Sequence, residues 1–145
     1  SNLPQIEGET YIQSMAAFKA EFTFNDIPAL KDTLRGKAIN KVSIDFEIIK
    51  DENYPSHDKL YLVRETNYGR IVFLTDFTLE GDEHFGGTLE ENKYRFNISR
   101  YFYQLLNDTE YTNKLYILSS GAAVNANRTI IDNSKISISI IYSEL

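Results

Sequence analysis

The sequence of 145 residues has no cysteine and no tryptophan. The first absence excludes a disulfide framework, a thiolate zinc site and a thiol nucleophile. It says nothing of compartment, because a β domain of this size needs no disulfide wherever it works. The second absence removes the widest aromatic platform for a sugar. Long apolar runs are missing too, none approaching the ~18 residues that suggest a transmembrane helix. The opening Ser1-Asn2-Leu3-Pro4-Gln5 has neither the basic region nor the apolar core of a signal peptide, so the expectation is either a cytoplasmic protein or an export signal missing from this sequence. Lys and Arg number 15 against 21 Asp and Glu, a formal net charge of −6, and the cations form no stripe. That balance repels a phosphate backbone, and no nucleic-acid partner is expected.

What is present reads as a globular β domain. The apolar fraction is 42%, with 9 Phe and 10 Tyr, and aromatic and β-branched residues favour pleated sheet. A single domain of about 150 residues buries roughly 68 to 70% of its unfolded surface, enough for a self-sufficient core. From Ala38 to Ile49, Val42, Ile44, Phe46 and Ile48 alternate with Ser43, Asp45 and Glu47, which predicts a strand with one buried face. Thr10 to Phe18 and Lys19 to Phe24 read as extended. Asp26 is placed to cap a short helix carrying Ile27, Leu30 and Leu34, with Pro28 in its first turn. Leu60 to Glu65 and Arg70 to Thr75 form a predicted hairpin across Thr66-Asn67-Tyr68-Gly69. Glu80 to Asn92 reads as a polar connection. Tyr94, Phe96 and Ile98 alternate again, followed by Ser99 as cap of a helix with Phe102, Leu105 and Leu106 on one face. Leu115 to Leu118 is a continuous apolar run, read as a strand, and Ser119 to Asn127 a small-residue loop. Arg128 to Asp132 and Lys135 to Tyr142 are expected to form a last hairpin through Asn133-Ser134. Short strands with helices confined to connections predict an all-β sandwich, of jelly-roll type, with one or two short helices.

Candidate chemistry is sparse. Asp45 and Glu47 share a strand face, with carboxylates roughly 6 to 7 Å apart from the strand rise. An inverting glycosidase needs about 6.5 to 9.5 Å between acid and base, so a small glycan-active hydrolase is the alternative reading. Solvation of the outer face opposite Val42, Ile44 and Phe46 is the preferred reading, because no third acid follows at a glycosidase spacing and nothing nearby would raise one carboxyl pKa, and we assign no catalytic residue. His57 and His84 are the two histidines; His84 follows Glu80-Gly81-Asp82-Glu83, with Asp76 upstream. That cluster offers oxygens to calcium but lacks the EF-hand spacing, and no metal or cofactor is assigned. No Gly-x-Ser-x-Gly elbow is present, and Gly86-Gly87 reads as a turn rather than a phosphate cradle. Tyr61, Tyr68, Tyr101, Tyr103 and Tyr116 are the candidate ligand-binding residues, since aromatic faces suit sugars or peptides.

Four segments carry a family resemblance: Thr10-Tyr11-Ile12-Gln13-Ser14-Met15, Ala38-Ile39-Asn40-Lys41, Tyr94-Arg95-Phe96-Asn97-Ile98-Ser99-Arg100-Tyr101, and Ile140-Ile141-Tyr142-Ser143. Together they resemble the C-terminal part of a Bacteroidetes cell-envelope lipoprotein family of unknown function. The strand order is also similar to jelly-roll carbohydrate-binding modules. Ser14 stands where that family has Gly, and Ser99 where it usually has Thr. The resemblance implies an exported protein in the outer membrane or periplasm. Its membrane attachment would run only through a lipid anchor absent from this chain. The strand pattern, the acidic solvated surface and the missing catalytic constellation point to a non-catalytic binding or assembly module contacting an envelope protein or a glycan, the protein slightly favoured because Trp is lacking.

Overall fold

The computed structural model describes residues 9–13, 20–24, 26–119 and 127–145. In chain order the elements are β1 (Glu9–Gln13), β2 (Ala20–Thr23), α1 (Ile27–Thr33), β3 (Lys37–Ile49), β4 (Leu60–Glu65), β5 (Ile71–Phe73), α2 (Thr75–Thr78), α3 (Asp82–Phe85), β6 (Gly86–Glu90), β7 (Lys93–Asn97), α4 (Ser99–Asn107), β8 (Lys114–Ser119) and β9 (Arg128–Glu144). Two antiparallel sheets form, ordered β1-β9-β3-β7-β6 and β2-β8-β4-β5, so the expected all-β sandwich is the architecture. The pairs β1–β9, β2–β8, β3–β7 and β4–β5 are nested, as in one long hairpin wrapped across two layers, and β6 is added outside β7. Among the described residues, no helix is long and apolar enough to cross a membrane.

The core follows from the alternation. Val42, Ile44 and Phe46 of β3 and Tyr94 and Phe96 of β7 meet Leu60 and Leu62 of β4 and Leu115 and Ile117 of β8 between the sheets. Each such side chain contributes about 1.5 to 3 kcal/mol on full burial. Helix α4 buries Tyr101, Phe102, Leu105 and Leu106, the i, i+1, i+4, i+5 stripe of an amphipathic helix. A chain of rings leaves this core toward β5: Phe46 to Phe96 (6.0 Å between centroids), Phe96 to Phe85 (5.3 Å), Phe85 to Phe77 (5.6 Å) and Phe77 to Phe73 (4.9 Å). These are edge-on or tilted contacts, the arrangements that aromatic quadrupoles favour.

Several sequence expectations change in detail. Residues Arg128 to Tyr142 are not a hairpin but lie within the single strand β9, which pairs with β1 at its start and β3 along its length. Asp132 accepts hydrogen bonds from the Ser134 amide (3.0 Å) and hydroxyl (2.5 Å). That local Asx turn takes up extra residues as a bulge, between the pairs Ile48↔Ile131 and Phe46↔Ile136, instead of reversing the chain. The polar stretch from Glu80 to Asn92 contains α3 and β6. Neither Asp26 nor Ser99 makes the expected side-chain cap. Asp26 enters α1 in the left-handed region (φ 56°), and the Ser99 hydroxyl bonds Asn97 Oδ1 at 2.8 Å. The cap of α4 comes from elsewhere in the sequence. The Asp76 carboxylate of α2 accepts the Arg100 amide at 2.7 Å and the Tyr101 amide at 2.9 Å, satisfying two first-turn donors that have no partner within the helix. Burial pushes the Asp76 carboxyl up from its ordinary range, opposed by those amide bonds. Ser14, Met15 and most of the small-residue loop after Ser119 lie outside the described residues.

Candidate functional site

The carboxylate pair lies on the outer face of the five-stranded sheet. Asp45 faces Arg95 across β3 and β7 and takes a bidentate pair from it, Nε at 2.7 Å and Nη2 at 2.8 Å, with Lys93 Nζ at 3.7 Å. The Arg95 hydrogen bonds hold the Asp45 carboxyl below its usual range. Asp45 is therefore a fixed anion in an ion-pair lattice, not a group poised to deliver a proton. Glu47 is exposed one step along the strand, opposite Lys93. The acidic stretch around His84 is likewise divided among separate partners. Asp76 caps α4, Glu80 pairs with Arg100 (2.5 Å), Asp82 with Lys59 (2.8 Å), and His84 Nε2 lies 2.8 Å from Asn97 Nδ2. No three His, Asp or Glu side chains gather as a metal set among the described residues.

Beside this lattice is an open cleft of about 620 Å³. It is floored by Ser43 and Asn97 and walled by His84, Thr88, Lys41 and Lys59, so its lining is polar and mixed in charge. Gly86 and Gly87 let β6 press against its neighbours. A Cβ on Gly86 would meet the Arg95 carbonyl oxygen, and one on Gly87 the Leu60 carbonyl oxygen and the Phe96 ring. None of the five candidate tyrosines lines this cleft.

The tyrosines do not form one platform. Tyr101 is fully buried, because it shares the α4 stripe with Leu105; its hydroxyl donates to the Thr112 carbonyl at 2.8 Å, and burial pushes its pKa up. Tyr116 lies on the outer face of the four-stranded sheet between Val63 and Glu21, yet only 6% of it is exposed. Neither offers a ring face to a ligand, which corrects the expectation for both. Tyr103, on the opposite side of α4 from its buried stripe, is exposed. Tyr61 and Tyr68 remain, and both belong to the β4–β5 hairpin, Tyr68 at its tip and 93% exposed.

That hairpin carries the most distinctive surface. Ile71 and Phe73 point to one face of β5 and are 39% and 48% exposed, and Leu79 just beyond α2 is 66% exposed. Tyr61 stands edge-on to Phe73 at 6.3 Å and to Phe77 at 6.0 Å, so the exposed rings are the outer end of the ladder that begins at Phe46. Among the described residues, strand β5 is also the edge of its sheet. The Thr66 amide donates to the Arg70 carbonyl at 2.7 Å. By antiparallel alternation Val72 then bonds toward Arg64, while the Ile71 and Phe73 backbone groups point away from β4. An apolar row beside free backbone groups is what natural edges usually avoid with Lys, Pro or bulges. The pattern Ile71-Val72-Phe73 is apolar on both faces, and its place at the edge leaves Ile71 and Phe73 exposed.

Comparison with known proteins gave no matching family model, no matching curated protein and no matching solved structure.

Proposed function

We propose that this domain is a non-catalytic binding or assembly module, of jelly-roll type, from an exported and lipid-anchored envelope protein, and that its β4–β5 hairpin receives a protein partner. The observation that carries the reading is the exposed row Ile71, Phe73 and Leu79 beside the open edge of β5. A partner strand added there would satisfy the Ile71 and Phe73 backbone groups and cover rings already rigidified from beneath. The nested strand order supports the jelly-roll assignment, because eight strands paired outermost to innermost across two sheets make that fold. The Asp45–Arg95 pair supports binding over hydrolysis, since it commits the better-placed carboxylate to an arginine.

A photo-crosslinking amino acid in place of Tyr68, introduced in cells of the source organism, tests this reading. We expect a discrete crosslinked protein that disappears when Phe73→Lys is added, while the variant keeps its fold by circular dichroism. No crosslink, or one indifferent to Phe73→Lys, would overturn it. A second reading, glycan binding, is favoured by the polar cleft with Asn97, His84 and Ser43. Calorimetric binding to a soluble polysaccharide that is lost in Asn97→Ala would place that reading first.

A further inference from the structure

A second cavity, of about 420 Å³, lies where α1, the start of β3 and α4 meet, well within the size range of ligand sites. Its floor is apolar: Leu34 and Leu106 are 9% and 8% exposed, and Ile39 is half-buried. Tyr103 forms one wall with 61% of its surface exposed, the one candidate tyrosine besides those of the hairpin that presents itself to solvent. The rim carries Lys31, Arg35 and Lys37, and among the described residues no Asp or Glu lines the groove. In a chain of net charge −6 this is a local inversion of sign.

The cations are only partly engaged. Arg35 pairs with Asp32 at 2.7 Å, but both are largely exposed. Lys37 donates to the Thr33 carbonyl at 3.2 Å and sits 5.5 Å over the Tyr142 ring. Lys31 makes no ion pair among the described residues. Favourable placement of Lys31 in the last turn of α1 accounts for that one charge. It does not account for an exposed ring over an apolar floor between three cations. We propose that this groove binds an acidic peptide segment that presents one apolar side chain. The side chain would rest on Leu34 and Leu106 against Tyr103, and flanking carboxylates would meet Lys31 and Lys37. Charge complementarity selects the acidic flanks, and the apolar floor excludes a purely polar occupant such as a neutral glycan.

The test is fluorescence anisotropy of the whole chain with three labelled octapeptides: an acidic one with a central Phe, the same with Ala at that place, and one with Lys replacing the acids. We expect the acidic Phe peptide to bind, the Ala peptide to bind about tenfold more weakly, and the Lys peptide not at all. Lys31→Glu and Tyr103→Ser, both at exposed positions that fold does not depend on, should each weaken binding about tenfold. Phe73→Lys should leave it unchanged, which separates this site from the hairpin surface. Equal binding of all three peptides, or binding indifferent to both groove variants, overturns the proposal. So does binding to phosphatidylglycerol vesicles, lost in Lys31→Glu, with no peptide binding; it would assign the groove to a lipid headgroup.

Discussion

Replacing Asp76 tests how this fold ends and begins its longest helix. The carboxylate is 1% exposed and holds the Arg100 and Tyr101 amides of α4 at 2.7 and 2.9 Å. In Asp76→Ala both donors lose their acceptor in a site with little room for water. A lost cap costs about 0.5 to 2 kcal/mol, and a buried donor left unsatisfied about 1 to 3 kcal/mol. Relief from burying a charge offsets part of this, so we expect a loss of about 2 to 3 kcal/mol. In a domain of this size each kcal/mol moves the melting temperature by about 2 to 4 °C, which predicts a fall of about 5 to 10 °C. Asp76→Asn keeps one acceptor and should cost about 1 kcal/mol. The pH dependence carries a further sign. Because burial raises the folded pKa above 3.8, the folded chain holds this proton more tightly than the unfolded one. The stability owed to this group is greatest below pH 3.8 and falls as pH rises through the raised folded value. The gap between wild type and Asp76→Asn should therefore narrow as pH rises. Urea unfolding at several pH values measures it, with an unchanged m-value confirming the same unfolded state. A cost below about 1 kcal/mol for the alanine variant would refute the capping argument, whereas a gap that widens with pH would show that the amide bonds outweigh burial and hold the carboxyl down.

Three other expectations follow from single contacts. His57 is buried, its amide and Nδ1 at 2.9 and 2.7 Å from Thr129 Oγ1, and burial lowers its pKa from 6.5, so stability should fall as pH drops below 6.5 toward the lowered folded value. His57→Gln should flatten that slope in thermal melts. Gly87→Ala drives a Cβ into the Leu60 carbonyl and the Phe96 ring at φ +94° and should cost about 3 kcal/mol, whereas Gly69→Ala, with open space around it, should cost about 1 kcal/mol by chemical denaturation. Asp45→Asn removes a bidentate pair whose arginine side chain is 59% exposed, so its penalty should stay below about 1 kcal/mol and vanish as pH falls through the depressed Asp45 value. Polysaccharide hydrolysis by the wild type that is lost in this variant would restore the hydrolase reading.

The alternation of Val42, Ile44 and Phe46 was enough to mark β3 and its buried face, because a period of two residues has one structural meaning when one side is apolar. The hairpin at Thr66-Asn67-Tyr68-Gly69 and the α4 stripe were legible for the same local reason. The stripe even contained the answer for Tyr101, four residues before Leu105 on the same helix face.

Tertiary structure decided what local chemistry left open. Asn133-Ser134 carries turn residues, but β3 runs unbroken beside both halves of β9, so pairing along one partner outweighs reversal and the turn becomes a bulge. Ser99 has the capping oxygen, yet Asp76 brings two better-placed ones from another element. The row Ile71, Phe73 of β5 is apolar in sequence; it is exposed because no further strand follows it in the sheet order among the described residues. The groove beside Tyr103 likewise exists only because α1 and α4 pack together at the start of β3. Sequence determined the strongly periodic elements, such as β3 and α4, and which faces they bury, since those depend on spacing within a few residues. Which apolar face stays uncovered, and which charges share a rim, depends on neighbours far apart in the chain.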